Sequence, residues 1–146
     1  MILSLGAVAQ VNTGFKHLNN KNFDLARPAF EKALSNKKHC AAAHYGLAYI
    51  NTEEIETIKD CLVAYENIEL SLECSKNLKP AKKRKQIKCG WLPKDNMQRL
   101  QKAVTDSLVA YLNRTDDLAT IDTVLVFEEQ SKSRRFKGKT KDALDR

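Results

Sequence analysis

The sequence predicts an all-α fold built from antiparallel helix pairs. Apolar residues recur at steps of three and four along most of the chain, the spacing of a helix with one buried face. Only five Gly and three Pro stand among 146 residues, so few turns are obligatory. The one β-branched run, "TVLVF" at 123–127, could form a strand but has no visible partner to pair with. A hydrophobic content of 42% with 29% charged residues suits one ordinary globular domain.

The first helix runs from Ile2 to about Leu18, with Leu5, Val8, Val11, Phe15 and Leu18 as its stripe. "NNKN" at 19–22 then makes a turn from residues that bond their own backbone. A second helix runs from Asn22 or Asp24 to Asn36. Pro28 is tolerated in it near a first turn capped by Asp24, and kinks it if the helix starts earlier. A third covers roughly 39–50. Thr52, followed by Glu53 and Glu54, reads as the N-cap of a long helix ending near Ser75, with Ile55, Ile58, Leu62, Tyr65, Ile68 and Leu72 on one face. Asp95 opens another helix carrying Met97, Leu100, Val104, Leu108 and Tyr111. Thr115, Asp116 and Asp117 cap a last one through Leu118, Ile121, Val124, Leu125 and Glu128.

The formal net charge of +7 is concentrated. Residues 76–94 hold Lys76, Lys79, Lys82, Lys83, Arg84, Lys85, Lys88 and Lys94 and no acid. Residues 132–141 hold Lys132, Arg134, Arg135, Lys137, Lys139 and Lys141, again with no acid. These segments account for more than half of the 25 Lys and Arg, so the remaining body is acidic on balance. Pro80, Gly90 and Pro93 make the first segment read as a loop between helices. The expected organisation is therefore a helical unit over 1–75, a basic loop over 76–94, C-terminal helices over 95–131 and a basic tail over 132–146. Three readings of the loop stay open. It is a solvated loop, a nuclear-import signal of the "PAKKRK" kind, or a polyanion-binding surface. In the third, Lys82, Lys83, Arg84, Lys85 and Lys88, with Arg134, Arg135 and Lys137 of the tail, neutralise phosphates, and Trp91 stacks on a base.

Other chemistry finds little footing. Cys40, Cys61, Cys74 and Cys89 are far apart and mostly in helical patterns, which reads as reduced, partly buried thiols. Cys40 and His44 share a helix face, but no paired C-x-x-C ligands accompany them, so no metal and no cofactor are expected. Neither a Gly-rich phosphate loop nor a Ser or Cys nucleophile with a matching His is visible, and the chain reads as non-catalytic. "MILSLGAVAQV" lacks a basic leader and is soon interrupted by polar residues. No window reaches the ~20 apolar residues of a membrane span. An intracellular protein, cytoplasmic or nuclear, without membrane contact is expected.

Ala26, Phe30 and Ala33 in "FDLARPAFEKA" carry the most specific pattern. Two antiparallel helices approach closely only where small residues meet, and Gly14 and Ala26 supply that closeness beside Phe30. Ala48 stands thirty-four residues after Gly14. The period, with Gly or Ala followed by Ala-x3-Phe-x2-Ala, resembles the tetratricopeptide repeat. It is clearest over 8–50 and reaches about 75 if Ala64, Ile68 and Ser71 repeat the spacing four residues late. Gln10, Thr13, His17 and Lys38 depart from the family's usual Trp, Leu, Tyr and Pro. The alternative is a non-repeat helical bundle, and the helices after residue 95 are either a degenerate repeat or a cap.

The resemblance implies a short superhelix that acts as a scaffold or adaptor and binds a peptide or partner helix in a groove. It maps groove positions to Val8, Val11, Asn12, Phe15, Leu18 and Asn19, and to Ala42, Tyr45 and Tyr49. Val11 and Phe15 stand where the carboxylate-gripping members have Lys and Asn, so that mode is not expected. An apolar, Tyr-edged groove suits an amphipathic helix or hydrophobic peptide, unless these residues only pack on neighbouring helices. The competing function is a helical RNA- or ribosome-associated protein that holds phosphates through the basic loop and tail.

Overall fold

A computed structural model describes residues 2–36, 38–88, 94–115 and 117–130, without the side chains of 2–8, 94 and 130. Every element among the described residues is helical. The order is α1 (Ile2–Asn19), α2 (Phe23–Ala33), α3 (Cys40–Glu53), α4 (Ile58–Lys76), α5 (Pro80–Lys88), α6 (Lys94–Leu112) and α7 (Leu118–Gln130). The TVLVF run lies in α7, where helical spacing puts Val124 fully into the core and leaves Val126 exposed.

Short turns fold α2 back on α1 and α4 back on α3, and α2 also packs on α3. Phe30 is the wedge of this layer. Its ring is fully buried, and a Cβ added at Gly14 or Gly46 would fall 2.7 Å and 2.3 Å from it. Only a residue without a side chain lets α1 and α3 approach the ring this closely. Ala48, the residue expected to match Gly14 by the thirty-four-residue period, is fully buried in a different layer, with Ala64 and Ile68. Polar groups tie the pairs as well. Arg27 on α2 donates to Asn51 Oδ1 at 3.0 Å and pairs with Glu54, and the buried Ser71 hydroxyl donates to the Ala41 carbonyl at 2.7 Å.

The core has two parts. One gathers Val11, Leu18, Ala26, Phe30, Ala33, Leu47 and Ile50 from α1 to α3. The other gathers residues of α3, α4, α6 and α7 around Tyr65, Ile68, Val104, Leu108 and Val124. Phe15 and Tyr49 pack against both.

Several expectations are corrected. Thr52 is not a cap. It lies in the last turn of α3, where its hydroxyl donates to the Ala48 carbonyl at 2.7 Å. The N-cap of α4 is Thr57, whose Oγ1 accepts from the Asp60 N–H at 3.2 Å while Asp60 Oδ2 accepts from the Thr57 N–H at 2.9 Å. Backbone N–H groups of Glu56 and Thr57, with the Thr57 hydroxyl, hold the Asp60 carboxyl below its usual range. Helix α2 starts at Phe23 after Asn22, so Pro28 sits inside it and leaves the Asp24 carbonyl without its helical donor.

The segment expected as a basic loop contains α5. Pro80 occupies the first helical position, where its missing N–H costs nothing, and the Ala, Lys, Arg and Gln that follow all favour helix. Cys40 and Cys74, read as reduced thiols, are joined in a disulfide between the start of α3 and the end of α4, with Cα atoms 6.0 Å apart. Cys61 remains a free thiol, buried and pushed up to about 11 by desolvation and the neighbouring Asp60. It is therefore a core residue rather than a nucleophile.

Candidate functional site

Where α1 ends, its last turn, the middle of α3 and the start of α6 enclose a recess of about 310 Å³. Phe15, Leu18, Asn19, Tyr45 and Tyr49 line it, together with Lys21, Asn96 and Arg99. The aromatic floor is built by stacking. Phe15 meets Phe30 edge to face at 5.1 Å and lies nearly parallel to Tyr45 at 6.2 Å. Since Phe30 is locked between two glycines, Phe15 has a fixed support, and Tyr45 is fixed in turn.

The polar edge is positioned by helix ends. Helix α1 closes with the Lys21 N–H donating to the Leu18 carbonyl at 2.9 Å and the Asn22 N–H to the His17 carbonyl at 2.8 Å. This paired pattern needs a left-handed residue at Lys21, which has φ 57°. Glycine usually fills that position, and a side chain there costs about 1–2 kcal/mol. The cost places a lysine at the rim of the recess. Asn96 and Arg99 reach it from adjacent turns of α6, and Asn96 Nδ2 donates to the Tyr45 hydroxyl at 3.3 Å. Burial raises the Tyr45 phenol above its usual range, with Asn96 opposing that shift, so the hydroxyl keeps its proton at neutral pH. Two cations and no carboxylate line the recess among the described residues.

The groove positions divide as follows. Phe15, Leu18, Asn19, Tyr45 and Tyr49 come together. Leu18 and Tyr45 do so as core residues, only 7% and 3% exposed, so Tyr45 is a wall rather than a free anchor. Val11 and Ala42 are fully buried against α2 and α3 neighbours and cannot face a partner. Asn12 is exposed outside the recess, and the Val8 side chain lies outside the described residues. Lys21, Asn96 and Arg99 were not anticipated. Lys21 stood in a segment read only as a turn, and nothing local announces that the start of α6 borders the same recess as the end of α1.

A larger depression of about 610 Å³ lies between the start of α4, the end of α6 and α7. Its polar groups are largely engaged. Thr57 caps α4, the Tyr111 hydroxyl donates to the Glu56 carbonyl at 2.7 Å, and the Arg114 guanidinium covers the Tyr111 ring at 5.5 Å.

Of the residues proposed to meet a polyanion, Lys83, Arg84, Lys85 and Lys88 are exposed on α5 and Lys82 is half-buried. A helix spreads these consecutive bases around its circumference, so they do not turn together toward one ligand as a loop would allow. Trp91, Arg134, Arg135 and Lys137 lie outside the described residues. Cys40 is spent in the disulfide, and His44 Nδ1 lies 2.9 Å from Asn67 Oδ1. Among the described residues no group of three or more His, Cys, Asp or Glu could hold a metal, and no helix is long and apolar enough to cross a membrane. No known protein family, curated protein or solved structure matched the chain.

Proposed function

We propose that this chain is a non-catalytic interaction module of the tetratricopeptide kind, which seats a peptide or helix of a partner protein in the recess between α1, α3 and α6. The observation that carries the reading is the convergence of Phe15, Leu18, Asn19, Tyr45 and Tyr49 on one recess. In the repeat reading α1, α3 and α6 are the first helices of successive pairs, the ones expected to line a groove. The tight Gly14–Phe30–Gly46 layer supports the same reading, as does a strained lysine at the rim, since backbone strain concentrates at working sites.

The lining also describes the partner. An aromatic or aliphatic side chain fills the floor, and Asn19 bonds the ligand backbone. A carboxylate beside the apolar anchor meets Lys21 and Arg99. The partner is therefore an acidic amphipathic helix or an acidic hydrophobic peptide. The Cys40–Cys74 bond would persist in an oxidising compartment and open in a reducing one, so an intracellular site of action implies the dithiol form.

Selection from a displayed peptide library should enrich sequences with Asp or Glu next to an aromatic or aliphatic residue. Arg99→Glu should weaken those peptides at least tenfold with unchanged helicity. Lys21→Gly should weaken binding as well, yet raise stability by up to about 1 kcal/mol as the left-handed strain is relieved. Peptides that bind Arg99→Glu and wild type alike would remove the recess from consideration.

A further inference from the structure

We propose that the face of α5 tied to the turn before α3 is a phosphate-binding site for single-stranded RNA, formed by Lys38, Lys79 and Lys82. Gln86 defines that face. It is 5% exposed, and its Nε2 donates to the Lys38 carbonyl at 2.8 Å. Lys82 and Lys79 precede Gln86 by one and two turns, so helical geometry puts them on the same side. The Lys83 N–H to Lys79 carbonyl bond of 3.0 Å extends the helical backbone to Lys79. Lys79 and Lys82 therefore share the side of the helix that Gln86 ties to the Lys38 carbonyl.

The crowding has an electrostatic signature. Desolvation lowers Lys82, and the ammonium groups of Lys38 and Lys79 lower it further. Desolvation, then Lys38 and Lys82, lower His39 in the same way. Among the described residues, no carboxylate is among the groups that act on Lys82. Like charges gathered beside one another leave a place for an anion, and three lysines match a phosphate as point-charge binders. The positive surface does not end there. Lys83, Arg84 and Lys85 carry it around α5, which suits a flexible chain of phosphates better than a single ion. A membrane surface is a poorer fit, because Ile87 is the one large hydrophobic side chain exposed on α5. The site is separate from the recess and stands or falls independently of it.

Fluorescence anisotropy of the full chain with a labelled oligouridylate tests the assignment. At 50 mM salt, micromolar binding is expected. Three phosphate contacts on a single strand should weaken it roughly 20-fold on going to 200 mM salt. Changing Lys38, Lys79 and Lys82 together to Ala should reduce affinity at least tenfold and flatten the salt dependence, without lowering the melting temperature. Changing Lys83, Arg84 and Lys85 to Ala should cost only a few-fold. The proposal is overturned if the wild type does not bind at 50 mM salt, if the first variant binds like the wild type, or if both variants weaken equally. Tighter binding to phosphatidylserine vesicles than to the oligonucleotide would overturn it too.

Discussion

Replacing Phe30 with alanine is expected to destabilise the protein by about 3–5 kcal/mol, the range for truncating a buried aromatic. The site cannot collapse around the loss. The ring fills the space between Gly14 and Gly46, and neither glycine has a side chain that could swing into the cavity. Phe15 would lose its edge-to-face support as well. Leu25, on the same helix but 52% exposed, is the control, and its change to alanine should stay within about 0.5 kcal/mol. Urea denaturation followed by circular dichroism measures both. A Phe30→Ala protein as stable as the wild type would mean that α1, α2 and α3 are not packed as described.

Loss of the Cys40–Cys74 bond is expected to be the next largest effect. The cysteines are 34 residues apart, and a loop of that length gives about 3–4 kcal/mol in the chain-entropy account of cross-links. Helices α3 and α4 already hold the two ends close through their packing and through the Ser71–Ala41 hydrogen bond, so the native state should survive reduction. The melting temperature should fall clearly when dithiothreitol is added, and the Cys40→Ser, Cys74→Ser double variant should melt at that lower value in either condition. A wild-type melt unmoved by reductant, with free thiols counted at both positions, would show that the bond does not form.

Helices with an apolar stripe were legible from spacing alone. The stripes of α1, α4, α6 and α7 were read from residues such as Val11, Ile68, Leu108 and Val124, all of which are fully buried. Helix α5 escaped because it has no such stripe. Its docked face is polar, held by Gln86, and a run of bases between prolines carries no periodic signal. The start of α4 was displaced because Thr52 and Thr57 are both followed by acids. Only at Thr57 does the acid stand three residues on, where it can return the hydrogen bond. The disulfide was illegible for a different reason: sequence separation does not give distance, and the cysteines meet only because α3 and α4 run past each other. The recess was half legible. A repeat-like register put Phe15 and Tyr49 on one side, but it could not distinguish Val11, which the next helix covers, from Leu18, which still borders the opening.

The double allegiance of Phe15 and Tyr49 makes the recess a seam between the two halves of the interior. A ligand seated there would bridge both halves at once, and its binding free energy would be added to the opening of each. Amide exchange should therefore slow in α2, which contributes no lining residue, as well as in α6, which does. The slowing should scale with ligand concentration in both helices alike. An occupied seam would couple the opening of the two core regions more tightly.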